Sequence, residues 1–157
     1  MSRPRPSERD LDIRRLAAID ICKDLDEEVN ETNIASIARA LRSGDDGYQL
    51  AREMDDDGWE VDEGTVGILR GASYHLRDHH RTAVRAWVAE TNPVNPVPLG
   101  EMAALTGGVF GEGRQGKVVK INADLATSTV SEAAKGHGEN GGWVMPWERL
   151  QPAGGAG

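Results

Sequence analysis

The chain has 157 residues, room for one domain or two small ones, and 38% of them are hydrophobic with only seven aromatics, so any core is lean. Formal charge is −8 at pH 7 and unevenly spread: residues 1–96 carry 13 Lys/Arg against 20 Asp/Glu, a balance of −7, whereas residues 97–157 carry 5 against 6. An acidic surplus repels phosphate at long range, so a nucleic-acid contact needs a local basic surface. The single Cys22 excludes an intramolecular disulfide, no apolar run approaches the ~20 residues of a membrane span, and no signal-peptide core opens the chain. A soluble, cytoplasmic protein without a membrane partner is the expectation.

Residues 1–9 and 151–157 lack any apolar period and are predicted to be flexible tails. Between them, Leu11, Ala18, Cys22, Leu25 and Val29 recur at helical spacing, which predicts a helix over about 10–29 with Asp20, Asp24, Glu27 and Glu28 on its other face. Cys22 falls on the buried stripe, where a thiol keeps its proton and stays inert. A second helix opens with Thr32 or Asn33 as N-cap, runs through Ile34, Ile37, Ala38 and Leu41, and stops at Ser43-Gly44. A third runs from Asp46 through Tyr48, Ala51 and Met54 to Gly58. A helix-turn-helix is disfavoured, because its second helix would turn Glu53, Asp55, Asp56 and Asp57 toward phosphates.

Asp62 caps a fourth helical stretch that is weak across Gly64, Gly67 and Gly71 and firmer from Ser73 to Glu90. Within it Arg70, Arg77, Arg81 and Arg85 fall at offsets 0, 7, 11 and 15, which places them on one face beside the apolar stripe of Leu69, Ala72, Leu76, Ala83 and Trp87. This is the only basic surface in an acidic helical domain that spans 10–91. Pro93, Pro96 and Pro98 then make 92–98 a semi-rigid linker.

Beyond the linker the period changes from helical to alternating. Val119 and Ile121 share one side of a strand with Lys120 and Asn122 on the other, Thr127 to Ser131 is rich in β-branched residues, and Trp143 and Met145 alternate with Val144. Glycine-rich or polar turns separate these runs, the pattern of a small antiparallel barrel over 99–150.

Three segments carry a resemblance: Gly100-Glu101-Met102-Ala103-Ala104-Leu105, Gly107-Gly108-Val109-Phe110, and Gly113-Arg114-Gln115-Gly116-Lys117-Val118-Val119-Lys120-Ile121. Together they resemble the KOW motif of SH3-like barrels, found in ribosomal proteins and transcription elongation factors. Trp143 to Leu150 is similar to the closing strand and short turn of such barrels. The resemblance implies an α+β chain, a helical bundle followed by an SH3-like (KOW-like) β-barrel. It also implies a loop whose glycines take positive φ, and Val118 and Ile121 as anchors of the next strand. Ile121→Asp is therefore expected to unfold 97–151.

The constellations that carry chemistry are incomplete. Gly111 to Val118 approaches a phosphate-binding P-loop but lacks the final Ser/Thr and leads into a strand. Glu53 to Gly58 echoes an EF-hand loop, yet its twelfth position is Gly64. His75 and His79 have the i,i+4 spacing of zinc ligands without a third ligand nearby, and His137 stands in a glycine-rich loop with no fixed partner. No catalytic residue, cofactor or metal is expected, and the chain reads as a non-catalytic adaptor. Its helices contact a protein partner and its barrel docks on a protein or nucleoprotein assembly. The alternative is direct RNA or DNA binding through Arg70, Arg77, Arg81 and Arg85, with Arg114, Lys117, Lys120 and Lys135 from the barrel. Trp143 and Trp147 either close the barrel core or anchor the partner. Given the acidic surplus, the helix arginines are expected to pair with carboxylates of the same chain.

Overall fold

The computed structural model describes residues 3–42, 46–107, 114–132 and 142–154. These hold five α-helices followed by a five-stranded antiparallel sheet, an α+β chain that divides into two compact units, Met1–Trp87 and Val88–Gly157.

In the first unit α1 spans Leu11–Asp24 and ends five residues before the sequence expectation. Asp26 takes the left-handed conformation (φ 55°), and the Asp26 and Glu27 amides donate to the Lys23 and Cys22 carbonyls. This is the hydrogen-bond pattern that closes a helix, formed here on Asp, a side chain that tolerates positive φ better than most. The expected stripe also turns: Ile13, Ala17, Ala18, Ile21 and Cys22 are buried, while Leu11 and Val29 are exposed. Helix α2 (Glu31–Ala40) is capped by Asn30, whose side chain accepts from the Asn33 amide at 2.9 Å, two residues ahead of the earliest cap read from the sequence.

Helix α3 (Gly47–Asp56) starts where expected, with Asp46 as its cap accepting from the Gln49 amide. Helix α4 (Glu63–Leu69) opens on a reciprocal box between Asp62 and Thr65. A break at Arg70–Gly71 separates it from α5 (Ala72–Thr91). The core lies where α1, α2 and α3 meet Leu69, Ala72 and Leu76, and the alanines on α1 and α2 let their backbones approach closely.

Residues 3–9 are not a free tail. The Trp87 indole N–H donates to the Arg3 carbonyl at 2.8 Å, and His80 Nε2 lies 3.1 Å from the Pro6 carbonyl. Main-chain oxygens make this anchor, so no side-chain period announces it.

In the second unit the strands are β1 (Met102–Leu105), β2 (Gln115–Asn122), β3 (Thr127–Ser131), β4 (Trp143–Pro146) and β5 (Leu150–Pro152), in the order β4-β3-β2-β1-β5. Among the described residues β4 and β5 stand at opposite edges without a ladder between them, so the sheet is open where a closed barrel was expected. Gln151 and Pro152, predicted as tail, pair with Ala104 and Ala103. The predicted linker also belongs here: Val97 is fully buried and its amide donates to the Asn95 side chain.

The register between β2 and β3 shifts at Val118/Lys120, a bulge that the alternation of side chains does not reveal. Val118 is fully buried, whereas Ile121, expected to be a core anchor, is only half-buried. Gly116 has a different reason from the one inferred. A Cβ there would stand 2.6 Å from Val130 Cγ1 and 2.8 Å from the Ser131 carbonyl, so close strand approach demands glycine. The motif residues 108–113 lie outside the described residues.

Candidate anion-binding face of the helical unit

Helix α5 is the longest element, and its faces divide by chemistry. Leu76, Val84 and Trp87 are buried, and Arg77, Arg81 and Arg85 are exposed. At about 100° and 1.5 Å per residue, successive members of this arginine set are separated by about 40° around the axis and 6 Å along it, forming a shallow spiral about 12 Å long. Tyr74, 68% exposed, extends the row toward the helix start, with the Arg77 guanidinium 5.7 Å from its ring centroid. Arg70 is also exposed, but it precedes the Gly71 break and caps α4, so it falls out of register with the other three.

These arginines were expected to be neutralised within the chain, and no such pairing is found among the described residues. Among the described residues Arg70, Arg77, Arg81 and Arg85 make no ion pair, while Arg15 pairs with Glu31, Arg39 with Asp57 and Arg42 with Glu53. The two aspartates of α1 that reach α5 meet its opposite flank, whereas Glu8 lies 3.8 Å from His80 Nδ1. His79 Nε2 lies 2.7 Å from Asp20 and His75 Nε2 lies 2.6 Å from Asp24. Two i,i+4 histidines of α5 thus face two i,i+4 aspartates of α1. Both spacings stand in the sequence, but only the packing of the two helices joins residues more than fifty positions apart. Among the described residues no group of three or more His, Cys, Asp or Glu is placed to hold a metal ion.

Cys22 is fully buried and that burial pushes its thiol pKa up, which removes it as a nucleophile. The acidic segment that echoed an EF-hand serves to close a helix. The Asp57 carboxylate accepts from the Ser36 hydroxyl and from Arg39 at 3.0 Å, the Trp59 indole N–H donates to Ser36 Oγ at 2.8 Å, and Gly58 takes φ 92°.

The Ser36 hydrogen bond, and secondarily Arg39, holds the Asp57 carboxyl below its ordinary pKa. A depressed carboxyl contributes stability that is complete above its unfolded-state pKa and is lost as pH falls through the lower folded-state value. Asp57→Asn should accordingly flatten the acid limb of the urea-midpoint profile below the ordinary carboxylate range, compared with the wild type. Parallel profiles would show that Asp57 has no such linkage.

In the second unit Arg114 is exposed with its guanidinium 5.3 Å from the Trp143 centroid, and Lys117 and Lys120 are exposed on β2. Lys120 stands opposite Thr129, and Thr129 opposite the 67%-exposed Val144, so the register lays one row across three strands. Trp147 is 8% exposed and its indole N–H donates to the buried Ser128 hydroxyl at 3.0 Å, which makes it a core residue and removes it as a partner anchor. Lys135, His137 and the near P-loop before Arg114 lie outside the described residues. Among the described residues no helix is long and apolar enough to cross a membrane. No protein-family model, no curated protein and no solved structure matches this chain.

Proposed function

We propose that the chain is a non-catalytic binding protein whose helical unit takes the phosphate backbone of a nucleic acid on the face formed by Tyr74, Arg77, Arg81 and Arg85. The observation that carries this reading is the exposure of three arginines that, among the described residues, have no carboxylate partner, in a chain of net charge −8. Guanidinium groups suit bidentate contact with phosphate oxygens, and an exposed ring in the same row offers a face on which a base stacks. The second unit takes the role of an SH3-like, KOW-like docking module. Its strand order, and the 3₁₀ turn at Trp147–Arg149 that leads into β5, support that assignment alongside the sequence resemblance. A protein adaptor that offers the same arginine row to an acidic protein segment is the second reading, favoured by the overall negative charge.

The test is fluorescence anisotropy of a labelled 20-base-pair DNA duplex and of a single strand of the same length across a salt series. Replacing Arg77, Arg81 and Arg85 together by Gln should weaken binding to any sequence. It should also lower the slope of log K against log salt by about 0.9 per lost duplex contact, or about 0.7 for a single strand. The melting temperature should stay close to wild type, since the three side chains are exposed and make no ion pair among the described residues. A wild type that binds neither oligonucleotide at low salt would overturn the reading.

A further inference from the structure

We infer that the outward face of the sheet in the second unit docks an extended acidic segment of a protein partner, held by Lys117 and Lys120. The inference names the partner of the docking role given to that unit above and rests on that reading. Side chains of a regular strand alternate between faces, so residues three apart on β2 would stand on opposite sides. The register shift between Val118 and Lys120 changes this. Lys117 pairs with Ser131 and Lys120 with Thr129, two residues apart on β3, so the extra residue, Val119, brings both lysines to one face. Val118 and its partner Val130 take the other face and are fully buried. Two residues of β3 span about 7 Å, which sets the separation of the two lysines along the ladder.

Apolar groups flank the pair. Met102 of β1 is the cross-strand neighbour of Lys117, Val144 of β4 stands opposite Thr129, and both are exposed. Cross-strand neighbours share a face, so these side chains form one surface. The five strands hold no Asp or Glu, and their only charged residues are the two lysines. Glu101, Asp124 and Glu132 lie beyond the strand ends. Lys117 and Lys120 are exposed and make no ion pair among the described residues. Such a surface selects for negative charge by complementarity. An extended chain projects every second side chain to one side at a repeat of about 7 Å, so carboxylates at i and i+2 match the lysines, and aliphatic residues beyond them meet Met102 and Val144. The nearest ring, Trp143, stands opposite Val130 on the other face, which leaves no stacking platform for a base here and favours a peptide over a nucleic-acid strand.

The test is a titration of the full-length, isotope-labelled protein with the peptide Val-Ser-Glu-Ser-Glu-Ser-Val, read by amide chemical shifts. The amides of Lys117, Lys120 and Thr129 should shift at millimolar peptide or below. Lys117→Gln/Lys120→Gln, at two exposed positions, should weaken binding about tenfold, the scale of two exposed ion pairs. The peptide Val-Ser-Glu-Glu-Ser-Ser-Val keeps the charge but sends its carboxylates to opposite sides, and should bind the wild type about as weakly as the first peptide binds the double variant. Equal binding of the two peptides, or a wild type whose β2 amides neither peptide shifts, would overturn the inference. So would a wild-type dimer that dissociates in the double variant on sedimentation, which assigns the face to a second copy. If the single-stranded oligonucleotide used above shifts these amides and the peptides do not, the acidic partner falls and the docking role stands with a different ligand. If neither peptides nor oligonucleotide move any amide of the second unit, both fall.

Discussion

Val118→Asp should abolish cooperative folding of the second unit. Val118 is fully buried in β2, its carbonyl accepts from the Gly100 amide, its amide donates to the Glu101 carbonyl, and it stands opposite the fully buried Val130 of β3. A carboxylate at that point has no partner and no water, and burying an unpaired charge costs more than the about 5–15 kcal/mol by which a domain is stable, so the unit unfolds before it accepts the charge. Hydrogen exchange should show amides of β1, β2 and β3 unprotected in the variant while α1 to α3 keep their protection. Ile121→Asp, beyond the bulge and half-buried, should cost no more than about 1–2 kcal/mol, because its carboxylate reaches solvent. The reverse ranking of the two variants would show that the register shift between Val118 and Lys120 is misplaced.

Ile37→Ala should cost the helical unit about 2–4 kcal/mol, a large fraction of the stability of so lean a core. Ile37 is fully buried in α2, the helix that packs on both α1 and α3, and the residues around it include several alanines that cannot swing inward to fill a void. The loss combines the transfer energy of the missing methyl groups with the cavity left behind. Urea denaturation read by far-ultraviolet circular dichroism should give a lower midpoint at an unchanged slope, the mark of a destabilised native state with the same exposed surface on unfolding. Leu16→Ala, at a site 48% exposed on α1, serves as the control and should stay within about 0.5 kcal/mol of wild type. An Ile37 variant as stable as the Leu16 variant would overturn the placement of the core.

Several elements were legible because their causes are local. Asp62 is legible as a helix cap and Asp46 as the start of a helix, and both accept the amide three residues on, since a short carboxylate ahead of an apolar period satisfies an orphan N–H wherever the helix later packs. Asn30, and not Thr32 or Asn33, caps α2: three cap-forming residues stand at 30, 32 and 33, and their spacing alone does not select among them. Trp147 and Trp143 look alike in sequence. The first finds a buried acceptor in Ser128 and becomes core, and the second stays half-buried under Arg114.

By itself the sequence determined that helices precede strands, the change of period after the prolines, and the presence of a basic row on the last helix. Hydrogen bonds within a few residues and side-chain spacing are enough for these. Only the tertiary structure decided which charges meet. Composition suggested that an acidic chain would neutralise Arg77, Arg81 and Arg85, but α1 packs so that Asp20 and Asp24 meet His79 and His75 on the far flank of α5. The rotation of one helix about its axis against another sets which of two faces is covered. That rotation is settled by the fit of Ile21, Cys22, Ala72 and Leu76 in a shared core, a long-range condition that no local window of sequence contains.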